Sequence, residues 1–317
     1  MPLPSPQQVH IDVPLSNLSI AIMQEEAVFG VARMVFPNVP VDKQSNKYYV
    51  WKQEDFFRTD ATKRAPGAES TGSGLNVSSS SYYCDVWASH FDIDHQTAAN
   101  VDLALDLERA AVAKVTRDIL IREDLDFVAK YFATGIWNAD TPVGITWDNV
   151  NSTPIEDIRG RWYVMVQNSG MIPSDLTLGP NTYKRLQDHP DILDRIKYTQ
   201  TAIVTKDLIA SVLDLRRVNV LFGVANSANE GAATGTFAFN AGNHALLTYA
   251  PTGPGLMVPS AGYTFIWTTP ENNAYPIAIA RIPILFRKVE RIEGETAFAN
   301  AVTAKVLGEF LPSCVAS

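Results

Sequence analysis

Residues 63–81 read KRAPGAESTGSGLNVSSSS, a run of small polar residues with aromatic-rich sequence on either side. NKYYVWKQEDFFR (residues 46–58) precedes it and SSYYCDVWASHFDI (residues 80–93) overlaps its end. Both flanks have the composition of strands. A linker between domains would account for the run. So would a hairpin: the two flanks paired antiparallel, with the glycines and serines at the tip. A dozen residues at about 3.3 Å each makes arms of roughly 40 Å. A two-stranded ribbon of that length is marginal alone in water, so it needs another surface to lie on. The sequence therefore points to a contact with another molecule.

Working outward, residues 1 to about 18 are polar and proline-containing, which suggests an extended arm. The stretch VFPNVPV (residues 35–41) is kept out of helix by its prolines. Beyond the hairpin, residues 94–135 carry the strongest helical signal, with no glycine until Gly135. Val112, Val115, Ile119, Phe127 and Phe132 mark an apolar side, and Leu120 and Val128 lie beside it. Asp106, Glu108, Arg109, Arg117, Asp118, Arg122, Glu123 and Lys130 fill the rest. Further helices are expected over residues 154–167, from Pro180, from Pro190 and after a Thr205 cap. Core strands are expected at residues 217–225 and 245–250, with a glycine- and alanine-rich loop over 226–242 between them. Residues 275–310 read as strand-rich. Helices and strands mix without a βαβ rhythm, which gives an α+β class.

The totals bound the function. The chain has 317 residues, 46% of them hydrophobic, and a formal charge of -8. That is ample for a core, and it argues against a basic nucleic-acid footprint over the whole surface. Two distant cysteines, Cys84 and Cys314, form no disulfide framework. The N-terminal residues lack the basic and apolar regions of a signal peptide, and no stretch reads as a membrane span. His90, Asp92, Asp94 and His95 place four potential metal ligands within six residues, three of them on one strand face. The same residues suit a polar strand face running into a helix start with Asp94 as its cap, the reading preferred here. Gly67, Gly72 and Gly74 lack the GK[ST] ending of a phosphate loop. No catalytic residue, cofactor or committed metal site emerges.

The order of features — arm, hairpin with a flexible tip, long helix, mixed body, strand-rich end — resembles the major capsid proteins of tailed bacteriophages, the Hong Kong 97-like fold. FPNVPV (residues 36–41) followed by Tyr48 and Tyr49 is similar to the family's lead into its extended loop. Arg122-Glu123, then FATG (residues 132–135) with Trp137, LGPNTYKRLQDHPDILDRIKYTQ (residues 178–200) and PGLMVPSAGYTF (residues 254–265) are further likenesses.

The resemblance implies an N-terminal arm and lead-in (1–45), an extended β-hairpin loop (46–93), a peripheral domain with a spine helix (94–153), an axial domain (154–270) and C-terminal strands returning to the peripheral domain (271–317). It implies self-assembly into hexamers and pentamers of an icosahedral shell around packaged double-stranded DNA, with no sequence-specific binding of that DNA. An encapsulin-like compartment shell is the alternative. Tyr48, Trp51, Phe56, Lys63, Arg64, Tyr82 and Trp87 are the expected subunit-interface residues, although the aromatics suit the chain's own core equally. Asn226, Asn229, Glu230 and Thr234 are expected near the capsomer axis. The implied partners are copies of the chain, a separate scaffolding protein or none, and portal and decoration proteins. The implied location is the virion, assembled in the host cytoplasm, with no membrane partner.

Overall fold

The structure, a computed structural model, describes residues 12–25, 28–52, 54, 59, 61–72, 78–100, 104–197, 204–228, 234–255, 258–268 and 276–316. In chain order the elements are α1 (Val13–Glu25), α2 (Ala32–Val35), β1 (Asn38–Val41), β2 (Ser45–Val50), β3 (Ser78–Tyr83), β4 (Asp85–Asp94), α3 (His95–Asn100) and α4 (Ala104–Tyr131). There follow α5 (Pro154–Ser169), β5 (Asp175–Leu178), α6 (Pro180–Asp188), α7 (Pro190–Ile196), α8 (Lys206–Leu213), β6 (Arg217–Val220), β7 (Val224–Asn226) and β8 (Phe237–Phe239). The chain ends with β9 (Ala245–Thr248), β10 (Gly262–Trp267), β11 (Ala278–Ile284), β12 (Val289–Val302), a 3-10 turn (Lys305–Leu307) and β13 (Gly308–Leu311).

The local signals that placed the helices are physical ones. α5, α6 and α7 each begin at a proline, whose missing N–H costs nothing in a first turn. Thr205 accepts the Leu208 N–H at the start of α8. Gly170, at φ 67°, closes α5, and Gly160 inside that helix does not break it. Two expectations fail. The arm is not extended up to residue 18, because α1 begins at Val13, with Leu15 and Ile22 buried. Residues 226–242 are not simply a loop, since β7 and β8 pair there.

Two sheets organise the body. In the first, β12 is the central strand. Its first ten residues pair antiparallel with β4 on one side; on the other it pairs with β11 and then β10. β1 lies parallel to β10 at the edge. The second sheet has the order β13-β9-β5-β6, with β5 and β6 parallel. The C-terminal strands therefore divide: β11 and β12 join the first sheet and β13 the second. The expected hairpin divides as well. β2 and β3 pair over six residues, and β4 leaves the ribbon for the first sheet.

The 28-residue α4 lies across the first sheet. Val112, Val115, Ile119 and Leu120 pack with Ile93, Ile279 and Ile292. The approach is tight at Gly294, where an added Cβ would stand 2.5 Å from Val115 Cγ1 and 3.2 Å from Ile119 Cδ1. At its far end the helix enters an aromatic cluster. Phe36 and Phe127 each lie close to Tyr131, with ring centroids 4.8 Å apart in both cases, and Phe132 meets Phe310 of the second sheet at 5.9 Å. The Trp137 indole N–H donates to the Tyr131 carbonyl at 2.8 Å. This cluster joins the two sheets. The second sheet has its own core, built around Trp147, Ile155, Ile158, Leu176, Leu178, Leu186 and Leu247.

A methyl group at residue 294 has no space to enter without moving α4. Gly294→Ala should lower stability by about 1–3 kcal/mol, and Gly294→Val by more, in urea unfolding of the full chain. An unchanged midpoint for both would show that the helix is free to shift.

Candidate assembly surfaces

The ribbon is anchored on its own chain at the base and exposed at the tip. The Tyr82 ring stacks on Phe265 at 4.4 Å and 17°, and Tyr48 reaches the same ring at 5.4 Å. The Tyr82 hydroxyl donates to the Lys43 carbonyl at 3.2 Å, and that of Tyr48 to Val302 at 3.4 Å. The Trp51 N–H donates to the Thr303 carbonyl at 2.8 Å. Between ribbon and β10 lies a groove of about 430 Å³ lined by Val41, Tyr48, Tyr49, Tyr82, Val258 and Phe265 among others. At the tip, every residue of 61–72 is exposed, Lys63 and Arg64 included. Arg64 donates to the Ala68 carbonyl, and the Thr62 and Thr71 hydroxyls lie 2.5 Å apart, so the tip closes on itself.

The nominated interface residues thus separate. Tyr82 is 7% exposed and committed to Phe265. Trp87 is not on the ribbon but on β4, with the Arg122 guanidinium 3.9 Å from its ring centre. Lys63 and Arg64 face solvent. Phe56 lies outside the described residues.

The histidine–aspartate stretch runs along β4 into α3. Arg291 of β12 takes both oxygens of Asp92, at 2.7 and 3.0 Å, and this bonding holds the Asp92 carboxyl below its ordinary range. Asp94 accepts the Gln96 N–H at 3.2 Å, which is the capping role. His90 and His95 are exposed. Among the described residues no three His, Cys, Asp or Glu side chains come together in a metal-holding group.

At the β7–β8 hairpin, Asn226 Oδ1 accepts N–H groups from Ala228 and Thr236 and so holds the turn together. Thr234 is exposed, and Asn229 and Glu230 lie outside the described residues. Sequence reasoning missed the apolar side of this hairpin: Phe237 and Phe239, two residues apart, are 71% and 44% exposed. It also missed Leu285 and Phe286, which fall inside the stretch that reads as strand-rich. They sit at the β11–β12 turn, more than 80% exposed. Large apolar side chains at hairpin ends are the available signal for a surface that another molecule covers.

Several charges are buried instead. Glu123 does not fill the solvent side of α4; it is 6% exposed and bound to Arg33 through two nitrogens. Its neighbour Asp124 accepts the Gly30 and Ala32 N–H groups, both at 3.0 Å. Asp175, fully buried in β5, accepts Arg216 and Arg217 at 2.6 Å each. Burial pushes the Glu309 carboxyl up to about 7, against the pull of Arg161, and the Cys84 thiol up to about 11. Only the adjacency of charges, Arg122-Glu123-Asp124 and Arg216-Arg217, hinted at this in the sequence.

No family model matches the chain. It is 26% identical over 287 residues to the major capsid protein of Burkholderia phage BcepMu, which spans 86% of this chain and 87% of that one. Among solved structures, a phage-related protein from Bordetella bronchiseptica RB50 superposes with a TM-score of 0.72 at 21% identity, over 96% of this chain and 98% of that one. A virus-like particle from Pyrococcus furiosus superposes at 0.57 and 10% identity, over 94% and 97%. Solved phage capsids share the same layout. The chain has the Hong Kong 97-like capsid fold. In this capsid fold the long helix α4, the ribbon and the two sheets are all present.

Removing one partner of the Arg33–Glu123 pair strands a buried charge. Arg33→Ala should cost about 3–5 kcal/mol in urea unfolding, whereas Arg33→Met with Glu123→Leu should recover most of it. Equal losses in the single and double variants would mean that packing, not charge, sets the cost.

Proposed function

We propose that this chain is the major capsid protein of a tailed phage. Many copies close into an icosahedral shell around double-stranded DNA, and the working contacts are those between copies. The 26% identity to a phage major capsid protein over most of both chains supports this reading. The observation that carries it is the ribbon: six paired residues tied to Phe265 at the base, and a glycine- and serine-rich tip whose described residues, 61–72, are all exposed. A subunit that stays alone gains nothing from such an element.

In this reading the role is structural. Residues 46–93 contain the extended loop, with β4 as its return into the sheet. Residues 94–153 form a peripheral domain around α4, and residues 154–270 supply most of an axial domain. The strands after residue 271 are shared between the two. Lys63 and Arg64 meet a neighbouring subunit, and the 226–242 hairpin faces the capsomer axis. A glycine- and serine-rich tip fits hexamers and pentamers of different curvature, because both residue types tolerate several backbone conformations. The remaining partners are portal and decoration proteins, and a separate scaffolding protein if any. The net charge of -8 suits a shell that holds DNA without gripping it. Assembly takes place in the host cytoplasm and the product is the virion. A cargo-filled compartment shell is the second reading, motivated by the likeness to the virus-like particle; purified native shells devoid of DNA would favour it.

Because Thr62 and Thr71 nearly touch, residues 63–70 can be replaced by a single glycine without stretching the ribbon. That variant should remain folded by circular dichroism and form no closed shells under electron microscopy. Normal shells would remove the proposed role of the tip.

A further inference from the structure

A cleft of about 450 Å³ opens where α2 and the lead-in meet the start of β6. Arg33, Arg216 and Arg217 line it, and among the described residues no aspartate or glutamate does. Met34, 61% exposed, gives it an apolar side together with Phe36 and Pro251. The acids that hold these arginines are buried. Glu123 takes Arg33, and Asp175 gives one oxygen to Arg216 and the other to Arg217, each at 2.6 Å. The side chains of Arg216 and Arg217 are 35% and 36% exposed, whereas that of Asp175 is at 0%. Two guanidinium groups thus share one carboxylate, and positive charge is left over on the exposed side. Arg217 also donates to the Val35 carbonyl at 3.1 Å. Arg216 donates through Nη2 alone among the described residues, so its Nε and Nη1 are open to an acceptor.

We propose that this cleft is a docking site for an exposed carboxylate of a second copy of the chain. Arg216 takes the carboxylate, Arg217 adds its charge, and Met34 supplies apolar contact. The inference rests on the assembly reading above. Charge selects the occupant: copies that each carry a net -8 repel one another except where one presents surplus positive charge. A DNA phosphate would also suit an arginine. The apolar side of the cleft offers a phosphate nothing, whereas protein interfaces are enriched in both arginine and methionine.

The test uses the full-length chain as wild type, Arg216→Gln, Arg216→Lys and Met34→Glu. Asp175 keeps Arg217 in Arg216→Gln. Met34→Glu leaves all three arginines in place and sets a competing carboxylate of the same chain beside them. Association is followed by sedimentation velocity from about 50 to about 500 mM NaCl. At low salt Arg216→Gln and Met34→Glu should each associate about tenfold more weakly than wild type, the loss of one charge-assisted contact. The difference should shrink at high salt, and Arg216→Lys should recover part of it. If Arg216→Gln associates and closes shells as wild type does, this inference falls and the assembly reading stands. A wild type that stays monomeric throughout overturns both. Duplex DNA that binds wild type at low salt but not Arg216→Gln would make phosphate the ligand and overturn the second copy as occupant. If Arg216→Gln does not fold, Met34→Glu decides by the same criterion.

Discussion

The missing side chain at residue 294 sets how close α4 lies to the first sheet. With Val115 and Ile119 resting over bare backbone, the helix reaches a depth that any larger residue would prevent. That depth fixes the rest. It buries the apolar side of α4 against Ile279 and Ile292, draws α1 into the same cluster, and delivers Phe127, Tyr131 and Phe132 to the place where both sheets meet. A second close approach completes the joint: a Cβ on Gly308 would collide with the Trp137 ring at 2.1 Å. Gly294 thus seats the middle of α4 on the first sheet, and Gly308 admits Trp137, which follows the helix, against the second. Interiors packed as densely as crystals transmit such local constraints over several residues.

Much of this was legible in the sequence where one residue type has one use. Prolines at 154, 180 and 190 mark helix starts because they lack an N–H, and Thr205 marks another by its hydroxyl. The apolar side of α4 follows from period alone. The failures share a different cause. That β4 leaves the ribbon for β12 is a matter of partner choice among equally strand-like segments, and composition is silent about partners. Ser80 to Ile93 reads as one strand, and only the break at Cys84, whose N–H donates to the Gln44 carbonyl, separates ribbon from sheet. Residues 275–310 read as strand-rich, but a turn at residues 285–288 interrupts them, with Lys288 at positive φ. Of the expected site residues, Lys63 and Arg64 are exposed on the tip. The aromatics proved ambiguous because tyrosine and tryptophan serve a core and an interface through the same flat apolar area.

The ribbon divides two tasks that the sequence presented as one. At its base, stacking on Phe265 and hydroxyl bonds to backbone carbonyls fix its direction relative to the body. Past residue 60, no described residue up to 72 is covered. A fixed base with an adaptable tip loses less entropy on docking than a ribbon free along its whole length, because the direction is already chosen before any contact forms. The exposed phenylalanines at the β7–β8 and β11–β12 hairpins follow the same pattern: backbone paired within the chain, apolar side chains turned outward.

Glu123 and Asp124 show how little net charge says about placement. Successive residues of a helix point about 100° apart, so two adjacent acids are both buried only where the helix is walled on two sides. Here the Arg33 guanidinium of α2 meets one acid, and the N–H groups of Gly30, ahead of α2, and Ala32, its first residue, meet the other. The two acids meet different partners for that reason. Glu123 is bound by a guanidinium, whereas Asp124 is bound by backbone N–H groups, and burial first, with the neighbouring Glu123 charge, raises its affinity for a proton against the pull of those N–H groups. A helix so enclosed is held in rotation as well as in position, since turning it by one residue would carry both carboxylates away from these partners. The buried acids thus fix the rotation of α4 at the same end where its aromatic residues fix the joint between the sheets.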